Sequence, residues 1–295
     1  MASAIIYRPP WLWRAFSSGP ILMALATLSF CIMAAAVKVA RQEMEALEII
    51  AWRGAISIPL AFFFAWPSGF RLHRIDLLLM RAMLGFGAMF CFFTATKGLA
   101  LADMSLITRL QPVIIAFIAP LALGANERTG PLIWLALVVG LAGCAILIGP
   151  GLAVGNRFGL WALVATVASA AAHTVVRALG RTENPRSVVF WFQLSNLPFA
   201  IAACLLIYGE LPQVPQAHLI APVVTCGLAA TVGQLLMTRA YQQEQAAIVA
   251  AASYAGPIWS VLLDLFIFGL VPGWEVAAGG VLVVAAGYLL YRGRG

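Results

Sequence analysis

Residues Ala95–Pro112 read ATKGLALADMSLITRLQP, and residues Ala240–Pro257 read AYQQEQAAIVAAASYAGP. Each stretch ends one apolar segment, crosses a short polar link and starts a second apolar segment that meets a proline. In both copies an alanine stands seventeen residues before that proline, and the copies are separated by about half of the 295 residues. A self-match at this offset in an apolar chain predicts a duplicated membrane bundle.

The composition agrees with a membrane protein. Hydrophobic residues make up 63% of the chain, charged residues make up 10%, and the mean hydropathy is +0.96. A soluble domain carries about 25% charged residues, and a helix needs about 20 apolar residues to cross a bilayer. We therefore predict an all-α membrane protein with ten transmembrane helices in two inverted five-helix repeats. The predicted spans are Pro20–Val39, Ala46–Trp66, Leu77–Gly98, Met104–Gly124, Pro131–Gly149, Phe158–Leu179, Ser187–Tyr208, Leu219–Arg239, Ala246–Phe268 and Trp274–Tyr291.

These spans divide the chain into five parts. Trp11 and Trp13 beside Arg14 suit a short interfacial helix at the lipid headgroups, and a flexible tail over residues 1–18 is an equal alternative. No cleavage site of a signal peptide follows them. The Pro- and Gly-rich stretch after the fifth span is the natural link between the repeats. The predicted parts are an interfacial segment (1–19), a first repeat (20–149), a linker (150–157), a second repeat (158–291) and a cytoplasmic tail (292–295).

The basic residues orient the bundle. With the N-terminus in the cytoplasm, only Lys38, Arg41, Lys97 and Arg157 fall outside, and many more arginines fall inside. This bias predicts a protein of the cytoplasmic (inner) membrane with both termini cytoplasmic. It also explains the net charge of +7 without a nucleic-acid partner. The arginines assigned to the inside are Arg8, Arg14, Arg71, Arg74, Arg81, Arg128, Arg177, Arg181, Arg186, Arg239, Arg292 and Arg294.

The sequence offers no catalytic motif. The five cysteines fall in apolar spans without metal-ligand spacing, and the three histidines do not cluster. We find no phosphate loop, nucleophile elbow or paired carboxylates, so we predict no enzymatic activity, no cofactor and no metal. Four span glycines are predicted to allow close helix packing rather than to bind ligand, namely Gly85, Gly87, Gly140 and Gly143.

Three stretches together resemble a known superfamily. Glu48–Pro59 reads EIIAWRGAISIP, Arg81–Glu127 runs through the proline of span four to a glutamate, and His173–Pro198 reads HTVVRALGRTENPRSVVFWFQLSNLP. The chain resembles the drug/metabolite transporters with two EamA-type repeats, in the branch that holds S-adenosylmethionine carriers and related solute carriers. The resemblance implies that spans one to four and six to nine surround a central cavity, while spans five and ten pack outside. The second repeat departs from the pattern, because it has no acidic residue equivalent to Glu127.

Two arginines within the predicted spans are the leading candidates for solute binding. Arg53 is roughly 10 Å into span two at 1.5 Å per residue, and Arg109 lies in the outer half of span four. A charged side chain at this depth is a functional candidate, and a guanidinium group suits a carboxylate or a phosphate. Pairing of Arg53 with Glu45 or Glu48 remains an alternative. Pairing of Arg109 with Asp103 also remains, and so does snorkelling of either arginine to the surface.

A proline interrupts spans four and nine at matching positions. Span four continues with Gln111 beside Pro112, and the same frame returns at Pro257. A proline removes a helix hydrogen bond, so the carbonyls of Thr108 and Ser253 are predicted to lose their usual partners. Breaks of this kind are tolerated where they line a cavity. A simple packing kink is the alternative.

Three other polar residues complete the predicted substrate-binding site. Tyr254 corresponds to Arg109 in the repeat register and can supply an aromatic wall. Gln234 lies in the middle of span eight and needs a hydrogen-bond partner, and His173 can take part in proton coupling. Ordinary packing within the bundle remains an alternative for each. The full predicted site is Arg53, Arg109, Gln111, Ser253, Tyr254, Gln234 and His173.

The sequence thus predicts a secondary transporter that moves a small polar metabolite by alternating access between two inverted repeats. An amino acid, a carboxylate or a related amphoteric solute is expected, with anionic or zwitterionic character. A proton-coupled exporter of drugs or lipophilic cations is one alternative, and a non-transporting membrane interaction protein is another. Protons or a counter-solute stay open as coupling partners, as does a homodimer.

Overall fold

The computed structural model describes residues 18–95, 106–148, 157–268 and 273–293. All ten predicted spans are found in these residues as helices long and apolar enough to cross a membrane. The protein is therefore an all-α membrane protein with ten spans, as predicted. The span helices are Gly19–Ala40, Ala46–Ala65, Ile75–Ala95, Gln111–Leu123, Pro131–Ile148, Arg157–Leu179, Pro185–Tyr208, Ala217–Gln243, Ala246–Ala252 with Ala255–Phe268, and Trp274–Arg292.

Local sequence fixes several helix ends. The Glu48 carboxylate accepts a hydrogen bond from the backbone N–H of Glu45 (2.8 Å) and so caps the start of span two. Asn184 caps span seven, because its side-chain oxygen accepts from the backbone N–H of Arg186 (3.0 Å). Span seven ends at Tyr208 and is capped by Gly209, whose φ of 76° is the left-handed conformation that favours glycine at a helix end.

The most extensive packing joins span one to eight, two to seven, three to six, and five to ten, and spans four and nine are also in contact. Exchanging each span of one half with the equivalent span of the other half (one with six, two with seven, and so on) leaves this set of pairs unchanged. That invariance is expected of two five-helix repeats that face each other. Because five is an odd number, such repeats have opposite orientations in the membrane.

Spans four and nine are both interrupted before their prolines. In span four, helical residues 106–108 are followed by a turn at Arg109 and Leu110, and the helix resumes at Gln111 with Pro112 in its first turn. In span nine, one helix ends at Ala252 and the next begins at Ala255, two residues before Pro257. The predicted helix breaks are thus confirmed.

Spans five and ten pack on each other at one side of the bundle, where their glycines meet. A Cβ atom added to Gly143 would lie 2.9 Å from the carbonyl oxygen of Gly279, and Gly140 lies directly against the ring of Tyr254. Gly85 in span three is similarly close to Arg81, so close packing is confirmed for these three predicted glycines. The same prediction was wrong for Gly87, because a Cβ atom there would meet no atom of the described residues within 4 Å.

Arg81 was counted among the cytoplasmic-side charges, although the predicted third span already contains it. The structure places it inside the span-three helix, which begins at Ile75, and leaves it 4% exposed. Several predicted features lie outside the described residues. These are segment 1–17, Asp103, linker residues 150–156 and tail residues 294–295.

The orientation of the bundle is a prediction that cysteine labelling tests. We expect a membrane-impermeant thiol reagent to modify Val214→Cys from outside the cell and to modify Arg71→Cys only after the membrane is opened. Both positions are exposed and lie at opposite ends of the spans. The unsubstituted protein, with Cys31 half-buried and the other four cysteines buried, provides the background. Labelling of Arg71→Cys alone in intact cells would reverse the proposed topology.

Candidate functional site

A buried arginine from span three reaches the neighbouring spans seven and eight. The Arg81 guanidinium carbon lies 3.9 Å from the ring centroid of Phe192, and Nη2 donates to Oε1 of Gln234 at 3.4 Å. Gly85, one turn further along, leaves room for the guanidinium group, since a Cβ atom there would collide with it. The sequence thus holds a cation over an aromatic face inside the bundle.

A second polar group adjoins Arg81. The amide nitrogen of Gln111, the first residue after the span-four break, contacts Nδ1 of His173. The His173 ring stacks on Tyr241, with centroids 5.1 Å apart and planes 20° apart. Arg81 is near enough to interact electrostatically with both rings. Spans three, four, six and eight therefore bring polar side chains together in the interior, beside an aromatic ring of span seven.

Arg53 carries a second buried guanidinium group without compensation. It is 7% exposed, and its Nε and Nη2 atoms have no hydrogen-bond partner among the described residues. The positive charges of Arg53 and Arg81 act on each other. Within the part of the chain that the structure describes, no carboxylate lies within 4.0 Å of either guanidinium group. This interior is consequently an electropositive environment.

Span seven adds buried amides to the same interior. Both side-chain amide atoms of Gln193 are buried without a hydrogen-bond partner in the described residues, and so is Oδ1 of Asn196. Span seven pairs with span two, and Leu197 packs beside Gly54, the neighbour of Arg53. Buried polar atoms without partners are costly in a protein interior. Such atoms on facing helices are the expected composition of a site that a polar ligand or water occupies.

The two helix breaks are joined by the other predicted arginine. Nη1 of Arg109 donates to the backbone carbonyl of Ser253 at 3.0 Å, so a side chain at the first break satisfies a carbonyl at the second. Tyr254 follows in the second break, and its buried ring packs against Gly140 of span five. The structure thus brings Arg109, Ser253 and Tyr254 together.

A buried ion pair ties one end of the bundle. The Glu127 side chain is 1% exposed, and its Oε1 accepts from Nε of Arg177 at 2.7 Å. Its Oε2 accepts from the backbone N–H of Ala246 at 2.8 Å, at the start of span nine. Arg177 also donates to the backbone carbonyls of Tyr241 (3.3 Å) and Gln242 (3.1 Å). This latch, Glu127–Arg177, connects spans four, six, eight and nine.

The fold and the duplicated helix breaks are matched by a known family. The profile of the EamA-like transporter family matches residues 17–149 and again residues 157–292. The chain belongs to the EamA-like transporter family. This EamA-like transporter is also similar over most of its length to individual proteins of that kind.

It is 29% identical to the pseudopaline exporter CntI of Pseudomonas aeruginosa, over 93% of this chain and 96% of the exporter. It is 25% identical to human solute carrier family 35 member G1, over 83% of this chain and 71% of the carrier. A protein of known crystal structure, 19% identical, superposes with a TM-score of 0.78 over 92% of this chain and 95% of that chain. The last similarity supports the fold alone.

The alternative that Arg53 pairs with Glu45 or Glu48 is wrong in this EamA-like transporter. Glu48 binds the backbone N–H groups of Glu45 and Gln213, and Glu45 pairs with Arg41, so neither carboxylate reaches Arg53. For Arg109 the proposed partner Asp103 lies outside the described residues. The roles of all seven predicted residues in binding stay predictions.

Sequence reasoning missed several residues of this interior. Arg81 lies four residues after the predicted start of span three. That depth within the span was the sequence signal that could have identified it as a charge inside the bundle. The Glu127 and Arg177 pair joins residues far apart in sequence, and only the tertiary contact identifies it. The other missed residues are Tyr241, Phe192, Gln193 and Asn196.

Proposed function

We propose that this EamA-like transporter is a secondary carrier for a small polar metabolite with an anionic group, such as an amino acid, a carboxylate or a related amphoteric solute. The observation that carries the proposal is the pair of buried guanidinium groups, Arg53 and Arg81, without a carboxylate partner in the described residues. A solute anion would supply the missing charge. Gln193, Gln234 and Asn196 would hydrogen-bond its other polar groups.

The cost of burying an arginine and the gain from a hydrogen bond to a solute are similar in size, which favours a bound ligand as the partner of these charges. An arginine at the centre of a membrane helix costs about 2.5–3.5 kcal/mol on insertion scales. A charge-assisted hydrogen bond to a solute contributes about 1.5–3 kcal/mol while the solute is bound. Water must solvate the groups in the empty carrier, which requires a site that opens to one side of the membrane.

Alternating access is the mechanism that best suits this architecture. Each principal helix pair contains one span from each half, so rocking of the halves would open one end and close the other. The latch Glu127–Arg177 closes one end across both halves. Broken helices in spans four and nine supply the local flexibility that discontinuous helices provide at transporter sites.

The alternative carrier type fits this interior less well. A proton-coupled exporter of lipophilic cations requires a negative charge in the bundle, whereas Arg53 and Arg81 make the described interior positive. A purely structural role is disfavoured by membership of a transporter family. The similarity to an exporter makes outward transport the first direction to test, in an inner membrane with cytoplasmic termini and repeats at 20–149 and 158–291.

A thermal-shift screen of the purified protein tests the proposal. A ligand that binds the folded state raises the melting temperature, so we expect hits among carboxylates, zwitterions and phosphorylated metabolites. Organic cations of similar size serve as the matched set. Stabilisation by the cations alone would contradict an anion-binding carrier.

A further inference from the structure

A groove separate from the buried polar interior opens between spans two, seven and eight. It has a volume of about 440 Å³ and lies at the membrane end where span two finishes and span seven begins. We call it the lateral groove. The residues on which the argument depends are Phe64, Ser68, Arg186, Leu235, Leu236 and Arg239.

The rim of the lateral groove is basic. Arg186 and Arg239 both line it and are exposed, and Nη1 of Arg186 donates to the hydroxyl oxygen of Ser68 at 3.2 Å. Among the described residues, none that lines the groove carries a carboxylate. Span seven starts beside this rim, so the positive end of a 24-residue helix adds to the potential. The rim therefore attracts an anion, and two guanidinium groups suit a phosphate.

The floor of the lateral groove is apolar and lies deeper in the bilayer. In span two Phe64 precedes Ser68 by about one helical turn, and in span eight Leu235 precedes Arg239 by the same interval. One turn advances the helix by about 5.4 Å. On both helices the polar residue is the nearer one to the helix end, so polarity falls from the rim toward the bilayer centre.

We propose that the lateral groove binds an anionic phospholipid. The phosphate lies between Arg186 and Arg239 with the Ser68 hydroxyl as a further donor, and an acyl chain lies over Phe64 and the two leucines. The depth of the apolar floor distinguishes a lipid from a soluble phosphate, which has no group to place there. Basic grooves between transmembrane helices are suited to such headgroups. The bound lipid would bridge span two of one half to spans seven and eight of the other.

Native mass spectrometry of the full-length protein in detergent tests this proposal. Phosphatidylglycerol is titrated in competition with phosphatidylcholine of identical acyl chains. We expect about a tenfold preference for phosphatidylglycerol, the factor that corresponds to about 1.4 kcal/mol. In the double variant Arg186→Gln/Arg239→Gln the preference should disappear. The matched control is Arg71→Gln/Arg128→Gln, which removes two exposed arginines that do not line the groove.

A second variant keeps the proposal testable if the double variant does not fold. Ser68→Glu puts a negative charge at the exposed rim without removing an arginine, and it should also abolish the preference. Glycerol 3-phosphate distinguishes the source of the anion, because it has the headgroup chemistry but no acyl chain. Competition by millimolar glycerol 3-phosphate equal to that of the lipid would overturn a lipid site, as would an unchanged preference in both rim variants.

Discussion

Replacement of Arg81 by glutamine is expected to weaken solute binding by roughly 10- to 100-fold, because a charge-assisted hydrogen bond worth about 1.5–3 kcal/mol is lost. Arg81 is buried beside Phe192 and Gln234. The measurement is the dissociation constant of the best ligand from the thermal-shift screen, determined by calorimetry for the wild type and the variant. Arg53→Gln should weaken solute binding as well, since the Arg53 and Arg81 guanidinium groups are close enough to interact electrostatically.

Two further variants separate binding from folding. Gly85→Ala retains the Arg81 charge but adds a methyl group where the guanidinium group lies, 2.9 Å from Cε2 of Phe192, so it should weaken binding by displacement alone. Arg71→Gln removes an exposed arginine and should leave the affinity unchanged. Each variant is first checked for its melting temperature without ligand. Wild-type affinity in both Arg81→Gln and Arg53→Gln would show that these arginines are structural and that the solute need not be anionic.

Arg109 is expected to behave differently from Arg81. Its guanidinium group already binds the Ser253 carbonyl at the second helix break, and the sequence predicted that it would hold the solute together with Arg53. If Arg109 supports the break, Arg109→Gln should lower the melting temperature measured without ligand. The affinity for the solute should then change only in proportion to that loss of stability. If the sequence prediction is right, affinity should fall while the melting temperature without ligand is retained.

Loss of the buried latch is expected to produce the largest change in stability. Glu127→Gln removes the charge that Arg177 faces at 2.7 Å, although the amide oxygen can still accept from one donor. Breaking a buried ion pair costs about 3–5 kcal/mol. We expect a loss of about 3 kcal/mol or less, because the Arg177 side chain is 23% exposed and keeps its bonds to the carbonyls of Tyr241 and Gln242.

A double-mutant cycle measures the latch directly. The variants are Glu127→Gln, Arg177→Gln and the two together, with unfolding followed in the same detergent. A coupling free energy above about 1 kcal/mol is expected for groups in contact. Glu275→Gln removes an exposed acid at the start of span ten and is the matched control, with an expected effect within about 0.5 kcal/mol. Additive effects of the two latch variants would show that Glu127 and Arg177 do not stabilise each other.

Local sequence information was enough for the elements of this protein. Ten spans, their limits to within a few residues, and both helix breaks follow from apolar run length and from Pro112 and Pro257. The physical reason is that lipid offers no hydrogen-bond partners to the backbone. A long apolar segment in the membrane must therefore satisfy its own N–H and C=O groups by forming a helix. The internal repeat also predicted that the two halves are equivalent, because residues that match between the two copies of the sequence are expected at equivalent positions in the bundle.

The site depended on contacts that sequence order does not contain. The sequence paired Arg53 with Arg109 as candidates for solute binding, and that pairing stays a prediction. The structure adds that Arg109 donates to the Ser253 carbonyl and that Arg53 interacts electrostatically with Arg81, which the sequence did not single out. Glu127 and Arg177 similarly meet only because spans four and six pack together. Helix formation in a membrane is decided by the residues of one segment, whereas the partner of a buried charge is decided by which helix faces it. The sequence by itself therefore determined the spans and breaks, and only the tertiary structure decided which polar side chains share one interior.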